Sequence, residues 1–278
     1  MVPMTLSSAA ASAVVSASAA THTGMVRLVN EDSFLAAAPM FLVADGMGGH
    51  SAGDKASQAT RDTLAAAVAD GEPTTPTILL EAIRLANEVV RAIPESEGAA
   101  RMICGTTLAG LALVRAGQQE RLHWMAFNVG DSRIYSWDEG RLLQLSVDHS
   151  AVAELVEAGL ISEKQAAVHP DRNVITRAIG AADTVDADVW LLPATGTQSF
   201  LLCSDGLTRE LDDEQIAGVL AEYSPAFAAQ ALVDAAVAAG GRDNVTVVVV
   251  DSSTTPDPDE EPAPEEPLGD LEDTVPRG

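Results

Sequence analysis

The run Phe41-Leu42-Val43-Ala44-Asp45-Gly46-Met47-Gly48-Gly49-His50 constrains the fold more than any other stretch of this chain. Apolar residues end abruptly in an acid, three glycines follow within four residues, and then comes a histidine. The apolar part reads as a buried strand. The glycines mark a backbone that turns sharply or lets another group approach closely. An acid at such a corner, with no bulky neighbour, is well placed to hold a cation. Taken alone, an Asp-Gly hairpin turn explains the run equally well. The pattern recurs, however. Arg121 to Asn128 reads as a strand running into Val129-Gly130-Asp131-Ser132-Arg133. Ser199 to Cys203 reads as another and runs into Ser204-Asp205-Gly206-Leu207. Gly240-Gly241-Arg242-Asp243-Asn244 leads into Val245 to Val250, the most strand-like run of all. Asp45, Asp131, Asp205 and Asp243 thus stand at strand corners beside glycine or asparagine, and Glu31 adds a fifth acid.

Antiparallel strands bring such corners to one end of a sheet stack. A pocket with that many carboxylates cannot stay ionised without cations. All-oxygen ligation selects hard ions, Mg²⁺ or Mn²⁺. Two such ions about 3.5–4 Å apart form a clamp for phosphate-ester chemistry. Arg27, Glu31 and Asp32 fall within six positions, an arginine that can hold an oxyanion in bidentate fashion beside carboxylates that hold metal. A salt bridge at a solvated strand end is the alternative for that segment. The formal charge of −25 on 278 residues argues against nucleic acid or an anionic membrane surface as partner. Cations and basic segments are its natural complement.

The remaining segments carry scaffold rather than chemistry. Val14 to Ala20 reads as a small-residue strand. Helices are expected from about Ser51 to Asp70 and from Ile78 to Ile93, with Pro76 near the first turn of the second. Gly105 to Val114 reads as one buried strand, and Gln144 to His149 as the strand closing an antiparallel set. Ser150 to Val174 breaks this rhythm with short helices at Ala151 to Ala158 and Ile161 to Val168, as a flap over the sheet edge would. His149 and His169 flank it and read as local structural residues. Strands resume at Val185 to Leu192. Acids at Asp212 to Glu214 open one helix, and Ser224-Pro225 opens another that runs to about Ala239. Cys104 and Cys203 read as reduced core thiols. The first twenty residues lack the charged start of a signal peptide, and no run is long enough for a membrane span, so a cytoplasmic location is expected. From Ser253 onward prolines and acids alternate, which reads as a disordered acidic tail behind a domain covering residues 1–252.

The ordered set of motifs resembles a known family, the metal-dependent PPM or type 2C protein serine/threonine phosphatases in their bacterial form. The landmarks are Val26-Arg27 with Asn30-Glu31-Asp32, Asp45-Gly46-Met47-Gly48-Gly49-His50, Gly105-Thr106-Thr107, Val129-Gly130-Asp131-Ser132-Arg133, Ser204-Asp205-Gly206 and Asp243-Asn244-Val245-Thr246. They occur in family order, from roughly Thr21 to Asp251. The resemblance implies an α+β fold: a four-layer αββα sandwich of two antiparallel sheets flanked by helix pairs, with a flap subdomain at about 150–174. It also implies roles. Asp45 bridges two metal ions, with the Gly46 carbonyl on one of them. Glu31 holds one ion, directly or through water; Asp205 and Asp243 hold the other. Asp131, with Asp205, forms a weaker third position. Arg27 holds the substrate phosphate.

The mechanism implied is direct attack of a hydroxide bridging the two ions, with no phosphoenzyme. Eukaryotic members place a histidine directly after the Asp-Gly pair, where this chain has Met47. His50 is the nearest substitute as proton donor to the leaving group, a metal-bound water being the other. His22 replaces the acid usual before the Gly-x-Val-Arg segment, away from the metal positions. The partners implied are phosphorylated proteins, targets of a serine/threonine kinase, acted on by a monomer. A catalytically weak regulator that binds a phosphoprotein is the alternative. It is disfavoured because Glu31, Asp45, Asp131, Asp205 and Asp243 are all present. A two-metal phosphoesterase for small molecules is a third reading, disfavoured for want of any nucleotide or sugar pocket.

Overall fold

The computed structural model describes residues 4–7, 11–48, 52–96, 104–138 and 140–256. The chain begins with β1 (Met4–Ser7), β2 (Ala11–His22), β3 (Asp32–Ala37) and β4 (Met40–Gly48). Helices α1 (Ala52–Ala66) and α2 (Pro76–Ser96) follow, then β5 (Cys104–Thr106), β6 (Leu108–Ala116), β7 (Arg121–Val129), β8 (Arg133–Asp138) and β9 (Arg141–Gln144). Two short helices come next, α3 (Ala151–Glu157) and α4 (Glu163–Ala166). The chain then forms β10 (Asp188–Pro193), β11 (Gly196–Cys203), α5 (Asp205–Thr208), α6 (Asp213–Glu222), α7 (Pro225–Ala239) and β12 (Val245–Pro256).

The strands make two antiparallel sheets. One has the order β1-β2-β12-β11-β8-β9, the other β10-β7-β6-β4-β3 with β5 paired to the end of β4. The uninterrupted apolar runs follow from burial on both faces. On β4, Met40, Leu42 and Ala44 face α1 and α2, whereas Phe41 and Val43 enter the core between the sheets. On β12, Val248 and Val250 enter that same core, whereas Val245, Val247 and Val249 pack under α6 and α7. Three apolar layers therefore separate four structural layers, the αββα sandwich expected. Aromatics are scarce, and the few are concentrated: Trp124 packs against Phe41 and Phe200, with ring centroids 6.3 and 5.6 Å apart. Each such side chain contributes about 1.5–3 kcal/mol by leaving water. Cys104 and Cys203 are buried, the Cys104 thiol donating to the Ala52 carbonyl at 3.3 Å.

Several boundaries differ from those expected, each for a local reason. The strand expected over Gly105 to Val114 is broken at Thr107. The Thr107 N–H donates to the Asp45 carbonyl at 2.9 Å and its hydroxyl accepts from the Asp45 N–H at 2.9 Å, which takes this residue out of the ladder. The strand expected over Gln144 to His149 is instead β9, ending at Gln144. Beyond it, the Ser146 hydroxyl accepts from the Ile134 N–H at 3.0 Å, so a side chain replaces the next ladder bond. β10 starts at Asp188 rather than Val185 because Val185 and Ala187 turn to pack under the α1–α2 layer. β12 continues past Ser253 to Pro256, paired residue for residue with β2 down to Ala11. Residues 253–256 therefore belong to the sheet, not to a tail; residues 257–278, and Ser51, lie outside the described residues.

The excursion over 150–174 is tied at its base. Ala151 N–H donates to the Val174 carbonyl and Thr176 N–H to the His149 carbonyl, both at 2.9 Å. α3 and α4 bury no residue, and Ser150 and Ser162 cap them.

Candidate metal centre

The four corner aspartates converge at one end of the sandwich, where loops from both sheets meet. Asp45 lies at the end of β4, opposite Asp32 in register. Its carbonyl accepts from the Thr107 N–H and from the Thr106 hydroxyl, both at 2.9 Å. The Thr107 hydroxyl also pairs with the Ser132 hydroxyl at 2.7 Å. Thr107 thus fastens the Asp45 corner to the Asp131-Ser132 corner. Gly46 must be glycine: a Cβ there would stand 2.1 Å from the Gly53 carbonyl oxygen and 2.6 Å from that of Glu31. The same holds for Gly206, where a Cβ would stand 1.9 Å from the Asn244 carbonyl oxygen. The two glycines let the chain segments bearing the acids cross at backbone contact.

Asn244 fixes the rim. Its Oδ1 accepts from the Glu31 N–H at 2.8 Å, and its Nδ2 donates to the Thr23 and Val29 carbonyls at 2.8 and 3.0 Å. This pins the Thr23–Asn30 loop, which carries Arg27, beside Asp243. Arg27 reaches Asp243 Oδ2 at 2.7 Å. Arg209 reaches the same oxygen at 3.0 Å and is also paired with Asp205, four residues before it.

The acids perturb one another. Burial pushes the Asp45 carboxyl well above its ordinary range, and the charges of Asp32, Asp205, Asp131 and Asp243 push it further. Asp131 is raised to about 7 by burial and by Asp205 and Asp148, against a lowering by Arg209. Asp205 is raised by burial and by Asp243, against Arg209. Glu31 is raised by burial, with Arg27 opposing. Buried oxygens of three acids, Oδ1 of Asp32, Asp131 and Asp205, have no hydrogen-bond partner. Such orphaned acceptors are costly unless something positive completes them.

The donor set fits hard divalent ions: it is all oxygen, strongly anionic and includes unsatisfied buried acceptors. The fit is not a finished cage. Among the described residues, no three acidic, histidine or cysteine side chains are yet arranged around one point to hold an ion. The arginines account for this in part, since Arg27 and Arg209 draw on Asp243 and Asp205.

All of the expected acids are brought to this end, with Glu31 and Arg27 at its rim. His50 lies outside the described residues. His149 and His169 serve local structure: Nδ1 of His149 accepts from the Gly130 N–H at 3.0 Å, and Nδ1 of His169 from the Asp171 N–H at 3.1 Å. The sequence groups Asp32 with Arg27 and Glu31 but gives it no place in the ligand set, yet it is central. Its Oδ2 accepts from the hydroxyls of Ser204 and Thr246 at 2.9 and 2.7 Å, across the gap between the sheets. Burial raises it to about 7, with Asp205 and Asp243 adding to the effect and the two hydroxyls opposing. Ser204 and Thr246 both sit in the motifs already noted, but their joint contact with Asp32 is a tertiary fact.

Comparison with known proteins agrees with this picture. The family profile described as Protein phosphatase 2C matches residues 23–239. The serine/threonine protein phosphatase PstP of Mycobacterium tuberculosis is 38% identical over 235 residues, covering 84% of this chain but only 44% of its own length. The chain thus spans less than half of that relative. The serine/threonine phosphatase stp of Listeria welshimeri is 36% identical over 222 residues, 77% of this chain and 84% of its own. Among solved structures, the catalytic domain of PstP in complex with two manganese ions superposes with a TM-score of 0.76 at 36% identity. That match covers 87% of this chain and 99% of the other. The chain belongs to the protein phosphatase 2C family, the bacterial branch of the PPM serine/threonine protein phosphatases.

Proposed function

We propose that this chain is a phosphoprotein phosphatase that uses Mn²⁺ or Mg²⁺ to hydrolyse phosphoserine and phosphothreonine by direct attack of water, without a phosphoenzyme. The observation that carries the reading is the gathering of Asp45, Asp131, Asp205 and Asp243 at one end of the sandwich, with orphaned buried oxygens on Asp131 and Asp205 and the carboxyls of Asp45, Asp131 and Asp205 raised by burial and by one another. Asp45, with the Gly46 carbonyl, would hold two ions together. Glu31 would serve one of them, Asp205 and Asp243 the other, and Asp131 with Asp205 a weaker third. When bound, the ions supply an acidified water as nucleophile and neutralise phosphate charge.

The chain's own residues do the rest. Arg27 is half-exposed at the rim and hydrogen-bonds Asp243 through a single nitrogen, so its fork is available to two equatorial phosphate oxygens. It would orient the ester for in-line displacement and stabilise charge as the bond to the serine or threonine oxygen breaks. That oxygen leaves as an alcohol and takes a proton, for which His50 is the candidate. The segment 150–174, tied at its base, would act as the flap that meets the protein around the phosphoresidue. The substrates would be phosphoproteins made by a serine/threonine kinase, met in the cytoplasm by a monomeric enzyme. No described helix is long and apolar enough to cross a membrane.

The test is hydrolysis of p-nitrophenyl phosphate and of phosphothreonine peptides by metal-stripped protein, with and without Mn²⁺. Release of phosphate only with Mn²⁺, lost on chelation, supports the reading. Peptides bound but left intact would turn the protein into a regulator.

A further inference from the structure

We propose that Arg209 is a built-in cation that competes with a divalent ion for Asp205 and Asp243, and so sets how tightly that ion is held. The inference rests on the metal-dependent reading above. Arg209 caps the C-terminal end of α5, its N–H donating to the Asp205 carbonyl at 2.8 Å. Its guanidinium bridges Asp205 and Asp243, whose side chains are 11% and 15% exposed. These are the two carboxylates that the second ion needs.

The placement is enforced by the next residue. Glu210 accepts from Arg242 Nε and from its backbone N–H at Oε1, and from a terminal guanidinium nitrogen at Oε2, each at 2.9 Å. Arg209-Glu210 and Arg242-Asp243 therefore form two crossed ion pairs between adjacent residues of one strand of loop and adjacent residues of another. Glu210 holds the 240–244 loop against α5, and this holds Asp243 within reach of Arg209. Arg27 shares the same Asp243 oxygen at 2.7 Å. Two guanidiniums thus satisfy Asp243, and one of them also partners Asp205.

Arg209 lies on Oδ2 of both Asp205 and Asp243, and a divalent ion drawn to the same two carboxylates is repelled by its charge. Loading the ion on Asp205 and Asp243 therefore weakens the hold of Arg209 on them. Its side chain is 35% exposed, so it can swing to water without crossing the core. Asp45 differs, because its strongest charged neighbours are acids. The competition therefore falls on one ion of the pair. By linkage, whatever Arg209 contributes to the metal-free fold is subtracted from that ion's apparent affinity.

The test is Mn²⁺ titration by calorimetry of the full, metal-stripped chain at fixed pH and ionic strength, for wild type, Arg209→Gln and Arg209→Lys. Arg209→Gln should bind the weaker of the two ions about fivefold more tightly, the effect of losing a partly exposed ion pair. Its metal-free melting temperature should fall by a few degrees while its gain on adding Mn²⁺ grows. Arg209→Lys, which keeps the charge, should stay near wild type. A second readout needs no variant: in wild type, Mg²⁺ should move the Arg209 Nε–H NMR signal toward rapid exchange with water. Mn²⁺ uptake by wild type with an unshifted Arg209→Gln isotherm, or an Arg209 signal indifferent to Mg²⁺, overturns this inference alone. Wild-type protein that takes up no Mn²⁺ overturns the metal reading and this inference with it.

Discussion

Asp188 opens β10 and Asp45 is the last residue of β4 paired with β3; both are acids drawn partly out of water, and the protein treats them in opposite ways. Burial pushes Asp188 upward, but Arg177 at 2.6 Å and His149 at 3.2 Å outweigh it and hold the carboxyl below its ordinary range. Asp45 is pushed upward by burial and then again by four other acids. Asp148, in the loop after β9, is likewise paired with an arginine, Arg133 of β8, at 2.7 Å. Asp32 and Asp131 repeat the pattern of Asp45. Asp148 and Asp188, which fasten the fold, have their cation supplied by the chain. Acids at the candidate centre face one another, and the exceptions, Asp205 and Asp243, share Arg209.

Four predictions press on this contrast. The largest effect is expected from Asp205→Asn, which should cut Mn²⁺-dependent phosphate release by more than about a hundredfold, measured as kcat/KM on a phosphothreonine peptide. Next is Asp32→Asn in metal-free protein at pH 8. Removing a buried charge that the fold disfavours should stabilise that form by about 1–3 kcal/mol in urea unfolding, even as catalysis suffers. The third is a pH profile. Asp32 and Asp131 have folded pKa values near 7 against unfolded values near 3.8, so between those limits the native state binds more protons than the unfolded one. Stability of the metal-free protein should therefore fall as pH rises from about 4 to 7, and saturating Mn²⁺ should flatten that fall. Denaturant midpoints from pH 5 to 8 with and without the ion would show it. The smallest effect is the opposite substitution, Asp188→Asn. It should lower stability by less than about 1 kcal/mol, because the Arg177 pair is more than a third exposed. Its sign, contrary to that of Asp32→Asn, carries the information.

Much of this contrast was readable before any coordinates. Asp45, Asp131, Asp205 and Asp243 announce themselves because an apolar run ending in an acid beside glycine or asparagine is locally unusual. The layer order followed from continuous valine and alanine runs that only two-sided burial explains. What escaped was whatever depends on contacts between distant segments. Asp32 looks like any strand-end acid until Ser204 and Thr246 arrive from the other sheet. Arg209 looks like a solvated helix-end charge until the 240–244 loop closes over it. Ser252 to Thr255 has the composition of a loop and becomes strand because β2 offers a partner along its whole length. Thr106 and Thr107 form a motif in the sequence, but the work of Thr107 in tying the Asp45 corner to the Asp131-Ser132 corner is visible only in the bonding. His50 keeps its sequence-based candidacy as proton donor.

The central claim is that the unpaired acids are kept for divalent ions. Proton release on Mn²⁺ binding tests it most directly: acids raised toward neutrality must give up their protons as an ion replaces them. Titrating metal-stripped protein with Mn²⁺ at pH 6 in buffers of different ionisation enthalpy counts those protons. The account predicts uptake of two ions with net proton release that shrinks by pH 8. Uptake with no release at pH 6, or no uptake at all, would contradict it.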